Sequence, residues 1–489
     1  MNTTLRRLAS VVMVMFLALM VSTTWIQFFH ADELNSDTRN IRSIYAEYGR
    51  ARGPIVVGGE AIALSKPVDD EFGYQREYTD GKLYAPLTGF FSLANGTTKI
   101  EHTENDYLNG QADALWVDRL QNLLTGADPE GSSVELTIDP KAQQAAWDAL
   151  GDQRGAVVAL DPKTGAILAL VSKPSFDPND LASHSTREAG EAYTKLLNDT
   201  ENKPLNSRAT NWSYPPGSTF KLVTTAAALE SGDYQPDTVI DAPSTYTLTG
   251  TQTQVGNFAG TSCASSGQMT LADALRISCN TAFLGLGGEL GADAMDEQAE
   301  KFGFGKTVDV PFRADASQYD QDPDAMNTAQ VELSGIGQGS VTATPLQVAM
   351  VSAAIANGGE VMQPYSVDTV RDPQLEVVRQ TSPTSLGRAV SEKTAGQLTD
   401  MMKSVVESGS GTSAQISGVQ VAGKTGTAQW GDTSKTNPHV WFTGFAPADD
   451  PQVAVAVVVE SGGDLGGQAT GGSVSAPIAK AVMEAVLNG

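Results

Sequence analysis

Arg6 and Arg7 stand before an apolar stretch from Leu8 to Phe29, and its centre, Val11 to Val21, carries no polar side chain. As a helix this stretch is about 33 Å long, enough to cross a hydrocarbon core of about 30 Å. A segment of that kind sends everything after it to one side of a membrane, and the preceding arginines make that side the outside. A cleaved signal peptide has a similar apolar region, but no Ala-x-Ala pattern follows this one, and Ser22, Thr23, Thr24 and Gln27 offer only a weak substitute. The expected order is a cytoplasmic tail at 1–7, a single-pass anchor at 8–29 and an extracytoplasmic remainder.

Composition narrows what that remainder can do. Acidic residues outnumber basic ones 57 to 32 and the formal charge is -25, so the phosphate-neutralising surface that nucleic acid requires is not expected. The four histidines (His30, His102, His184, His439) and two cysteines form no HExxH or CxxC arrangement, so neither a metal nor another cofactor is expected. In an oxidising exterior Cys263 and Cys279 can form a disulfide, with two free buried thiols as the alternative.

The 489 residues, 40% of them apolar, are enough for two or more units. Residues 32–53 are polar and charged, a juxtamembrane helix or linker. Ile55 to Val134 has short apolar runs broken by Gly, Asn and Asp, the pattern of a small mixed domain over 30–145. A strand leads into a helix over Leu136–Leu150, with Pro140 near the helix start. Gly155–Leu160 and Ala166–Val171 flank a turn at Asp161–Gly165 and predict a hairpin. Val453–Val459 is a continuous apolar strand with Val440–Phe445 as its neighbour, and Ala476–Leu487 is an amphipathic helix. Strands at both ends of a long helical middle imply an α+β domain over 146–489, with a sheet closed by sequence-distant strands.

Three places carry residues suited to chemistry. Tyr214-Pro-Pro-Gly217 ends one segment and an alanine-rich helical run follows, so Ser218 lies at a helix N-terminus where unpaired N–H groups favour negative charge. Lys221, one turn along, falls within reach of the Ser218 hydroxyl, and a desolvated lysine can serve as its base. Thr270 to Asp273 resembles a capping box opening a short helix that ends at Ser278-Cys279-Asn280. Ser278 could relay a proton there and Asn280 hold an amide, although both also suit ordinary caps. Lys-Thr-Gly occurs twice. Lys163 to Gly165 sits in the hairpin turn, where a solvated loop suffices. Lys424-Thr425-Gly426-Thr427, flanked by small residues, could let a ligand backbone lie along a strand edge and could seat a carboxylate.

In chain order, Ser218-x-x-Lys221, Ser278-x-Asn280 and Lys424-Thr-Gly426 resemble the three signatures of penicillin-binding proteins and class A β-lactamases. Arg154–Gly165, Tyr214–Gly217, Thr344–Gln347 and Ala356–Gly359 look like class B transpeptidase segments, and nearly the whole chain resembles actinobacterial members of that class. The cysteine inside Ser278-Cys279-Asn280 departs from the general pattern and fits a bridge to Cys263.

The resemblance implies a penicillin-binding/serine β-lactamase-like fold, an antiparallel sheet with helices on both sides, behind a smaller non-catalytic domain. It implies a D,D-transpeptidase that crosslinks peptidoglycan stem peptides and is blocked by β-lactams, working with the division or elongation machinery. Ser218 would be the nucleophile, Lys221 its base and Ser278 the proton relay. Asn280 would hold the substrate amide, and Lys424, Thr425, Gly426 and Thr427 would line the carboxylate seat. The rival within the resemblance is a D,D-carboxypeptidase or β-lactamase that passes the acyl group to water.

Overall fold

The computed structural model describes residues 3–29, 48–115, 130–257, 260–431 and 436–489. Most of the expected juxtamembrane segment lies outside those residues. The apolar stretch forms helix α1 (Thr3–Phe29), and no residue of it is buried against protein. It is long and apolar enough to span a membrane.

Strands β1 (Ile55–Val57), β2 (Glu60–Pro67) and β3 (Tyr74–Tyr78) begin a six-stranded sheet that continues through β4 (Ser133–Leu136). The chain then enters α2 (Pro140–Leu150), whose N-cap Asp139 accepts from the Lys141 and Ala142 N–H groups, with Pro140 in the first turn. Helix α2 crosses the 145/146 boundary expected from sequence and packs on a second sheet, of five strands. The expected hairpin forms from β5 (Gly155–Leu160) and β6 (Ile167–Lys173).

A helical middle follows, including α3 (Lys221–Ser231), α4 (Asn280–Lys301) and α5 (Pro345–Ala356). Strands β7 (Val367–Arg371) and β8 (Val377–Gln380) then return to the first sheet, where β7 pairs antiparallel with β4. The six-stranded order is therefore β8-β7-β4-β1-β2-β3. The small N-terminal unit is completed by a hairpin from far along the chain, which no local pattern announces.

After α6 (Glu392–Ser408) come β9 (Ala422–Ala428), β10 (His439–Ala446), β11 (Val453–Val459) and α7 (Ala476–Leu487). The five-stranded sheet runs β9-β10-β11-β5-β6, antiparallel throughout. All seven residues of β11 are buried because helices cover both of its faces. Ala454, Ala456 and Val458 belong to the core shared with α5, while Val453, Val455, Val457 and Val459 share theirs with α2 and α7. A strand buried on both sides reads as a continuous apolar run rather than an alternating one. Strand β9 lies at the sheet edge and faces the helical lobe, which sets the position of the site.

Candidate active site

Ser218 occupies a single 3-10 turn, Gly217–Thr219, directly ahead of α3, whose first residue is Lys221. The turn is wedged between β9 and the segment around Gly337. Gly217 N–H donates to the Gly337 carbonyl at 2.9 Å. Both glycines have positive φ, and a Cβ on Gly337 would lie 2.2 Å from the Gly217 carbonyl oxygen. On the sheet side Trp441 Nε1 of β10 donates to the Pro215 carbonyl at 3.2 Å. A Cβ on Gly426 would meet Thr219 Cγ2 and Trp441 Cβ at 3.0 Å, so the glycine of the second Lys-Thr-Gly lets the serine turn pack on the sheet edge.

Lys221 is wholly buried. Its ammonium donates to the Ser278 carbonyl at 2.9 Å, to Asn280 Oδ1 at 2.8 Å and, more weakly, to Ser278 Oγ at 3.4 Å. The Ser218 hydroxyl, which the sequence places within reach of Lys221, is not among these contacts. A buried amine with three donors takes the strongest acceptors around it, a carbonyl and an amide oxygen. Ser218 is half-buried and lines the open cleft instead.

Lys424, also wholly buried, reaches the same hydroxyl from β9 and donates to Ser278 Oγ at 2.8 Å and to the Thr425 carbonyl at 2.9 Å. Burial draws the Lys424 amine down to about 7. Burial, followed by the charge of Lys424, holds Lys221 well below the ordinary lysine range. Two buried amines on one hydroxyl disfavour each other's charged form.

Ser278 lies between the short helix Leu271–Arg276 and α4, with φ at +62°, a conformation that costs a non-glycine residue on the order of 1–3 kcal/mol. Its neighbours secure it. Cys279 is joined to Cys263 by a disulfide. Asn257 Oδ1 accepts from the N–H groups of Asn280 and Thr281 at 2.8 and 3.2 Å, capping α4 from outside the helix. Thr270 caps the short helix through Asp273 N–H, as its pattern predicts.

A cleft of about 930 Å³ runs over this arrangement, and Ser218, Ser278, Asn280, Thr425, Gly426 and Thr427 line it. Three lining features were not foreseen from sequence. Asn257 acts across the fold and leaves no local signal. Ser410 shares a 2.6 Å hydrogen bond with Thr425 Oγ1. The turn at Thr470–Gly472 closes one end, and the Thr470–Ser473 pair forms a capping box, a pattern that reading the sequence for caps could have found. The first Lys-Thr-Gly lies elsewhere: Lys163 is exposed in its turn and pairs with Asp450 at 2.6 Å.

The model of the penicillin binding protein transpeptidase domain matches residues 155–484, and that of the penicillin binding protein A dimerisation domain matches 52–134. The chain belongs to the penicillin-binding protein transpeptidases. This penicillin-binding protein is 44% identical to peptidoglycan D,D-transpeptidase PbpA of Mycolicibacterium smegmatis, over 100% of this chain and 99% of that one. It is 30% identical to peptidoglycan D,D-transpeptidase MrdA of Acinetobacter baumannii, over 79% of this chain and 63% of that one. Among solved structures, the ceftriaxone acyl-enzyme of penicillin-binding protein A from M. tuberculosis superposes with a TM-score of 0.87 at 42% identity, covering 91% of this penicillin-binding protein and 100% of the other. The penicillin G acyl-enzyme of the same relative superposes at 0.84 and 43% identity, covering 90% and 100%.

Proposed function

We propose that this penicillin-binding protein is a membrane-anchored peptidoglycan D,D-transpeptidase that forms its acyl-enzyme on Ser218. The observation that carries the residue assignment is the meeting of two buried amines, Lys221 and Lys424, on Ser278 Oγ in the wall of the cleft that Ser218 lines.

In this reading Ser218 Oγ attacks the carbonyl between the two terminal D-alanines of a stem peptide. Lys221, whose hold on its own proton burial weakens, takes the hydroxyl proton. The backbone N–H groups of Ser218 and Thr427 face the oxyanion. The C–N bond breaks, Ser278 passes a proton to the departing D-alanine amine, and Asn280 holds a stem-peptide amide. Lys424, Thr425 and Thr427 seat the terminal carboxylate, and Gly426 keeps the strand edge free of a side chain. An amine from a neighbouring stem then displaces Ser218 and completes the crosslink. A penicillin reproduces the first half and stays attached.

The unit over 146–489 is the catalytic one in this reading and 30–145 is not. Helix α1 holds the enzyme in the cytoplasmic membrane with Arg6 and Arg7 inside, and the crosslinking serves the division or elongation machinery. The test is incubation of the detergent-solubilised full chain with penicillin, and with a D-alanyl-D-alanine peptide plus an acceptor amine, followed by mass spectrometry. A stable penicillin adduct on Ser218 and a transfer product are expected. An adduct on a different serine in Ser218→Ala refutes the assignment, and hydrolysis without transfer makes the chain a carboxypeptidase.

A further inference from the structure

Glu460 follows the last residue of β11, and it does not line the cleft. Its Oε1 accepts from Arg208 Nε at 2.7 Å and from the Tyr214 hydroxyl at 2.7 Å, and Arg154 Nε lies 3.5 Å from Oε2. Arg208 is 1% exposed and Glu460 11%. Neither they nor Tyr214 line the cleft, and the reaction outlined above does not use them. Buried ion clusters of this kind are weak sources of stability, because desolvation offsets most of their attraction. A geometric role accounts better for the charge.

The geometry points to Glu460 as a positioning residue for Ser218, acting through the Tyr214 hydroxyl. Tyr214 opens the segment that ends at the serine, and only Pro215, Pro216 and Gly217 intervene. The prolines hold φ near -65°, so the tie at Tyr214 is transmitted with little slack. The backbone of Tyr214 is bridged to Ala343 in both directions, at 3.0 and 2.8 Å. Its ring stands edge-on to Trp441, the residue that binds the Pro215 carbonyl. Burial, reinforced by the Glu460 carboxylate, keeps the phenol protonated, and it therefore donates. His439, edge-on to the same ring, is held neutral at about 4, chiefly by burial, and adds no competing charge.

The inference rests on Ser218 being the nucleophile, so Ser218→Ala is the first control: adduct formation in that variant overturns the assignment itself. Given a silent Ser218→Ala, the full chain in detergent is titrated with a fluorescent penicillin to separate the binding constant from the acylation step, alongside thermal melting. Tyr214→Phe, which removes one oxygen atom, and Glu460→Gln should each slow the acylation step about tenfold while leaving penicillin binding unchanged. The double variant should lose no more than the worse single one, since both cut the same tie. Unchanged acylation with a lowered melting temperature would make the cluster structural and overturn the proposal. Additive losses would overturn the route through Tyr214. Should Glu460→Gln fail to fold, Tyr214→Phe alone decides.

Discussion

Replacing Lys424 probes the site most directly, because the chain supplies its own control. Lys424 is wholly buried and donates to Ser278 Oγ and the Thr425 carbonyl, whereas Lys163 stands exposed in a turn beside Asp450. A hydrogen bond to a charged group contributes about 1.5–3 kcal/mol. Loss of the cationic contact to a substrate carboxylate in the cleft, at the upper end of that range, slows second-order acylation by about 10² at 1.4 kcal/mol per decade. Stability should move less, since Lys424→Ala removes an amine that resists burial while it opens a cavity, and the two effects oppose one another. Lys424→Met fills most of that cavity and isolates the charge. The assay is the rate of fluorescent-penicillin labelling at several concentrations, corrected for folded fraction. Lys424→Ala and Lys424→Met should both fall about a hundredfold, and Lys163→Ala should stay within about twofold of the parent. Equal losses at Lys163 and Lys424, or a Lys424→Met that labels at the parental rate, would refute the reasoning.

Lys221 must be neutral to accept a proton and Lys424 charged to hold a carboxylate. With Lys424 as the carboxylate's partner, the second-order labelling rate should fall as pH rises through about 7, where Lys424 loses its proton; a rate still climbing at pH 9 contradicts this. The linked stability effect has a definite sign. Lys424 titrates at about 7 folded against 10.5 as a model group, so the unfolded chain binds more protons between those values, and its contribution to stability grows as pH rises through that window. Denaturant titrations should show that growth in the parent and its loss in Lys424→Met. Gly337→Ala would drive a Cβ to 2.2 Å from the Gly217 carbonyl oxygen and 2.7 Å from Phe220 Cβ at a φ of +66°, so labelling should drop more than about tenfold and the melting temperature should fall; parental labelling would show that the turn can yield. Alkylation without reduction should leave Cys263 and Cys279 unmodified, and reduction should lower the melting temperature, since closing a loop of about 15 residues is worth about 3 kcal/mol in the chain-entropy model; alkylation of both without reductant counts against the bridge.

Much of the fold is legible in the chain because its signals are local. The apolar run of α1, Pro140 after the Asp139 cap, the Thr270 cap and the unbroken apolar run of β11 each report the environment of a few consecutive residues. The three motifs that meet at the cleft are equally plain as strings. What escaped was non-local. The return of β7 and β8 to complete the N-terminal sheet depends on pairing with β4, and nothing in either strand names its partner. Asn257, Ser410 and Glu460 act on residues beyond the reach of any local repeat, so no periodicity marks them.

Lys221 and Lys424 show where the division falls. Residue order alone placed a serine at a helix N-terminus with a lysine one turn along, and another lysine among small residues on a strand; that the first lysine itself opens the helix, behind a separate 3-10 turn holding the serine, came from the structure. Only the folded molecule decided that both ammonium groups would converge on Ser278, and that Lys221 would take the carbonyl and Asn280 as acceptors in preference to Ser218. The reason is that hydrogen-bond choice and loss of charge depend on which groups are stripped of water together, and that is a property of packing between distant segments.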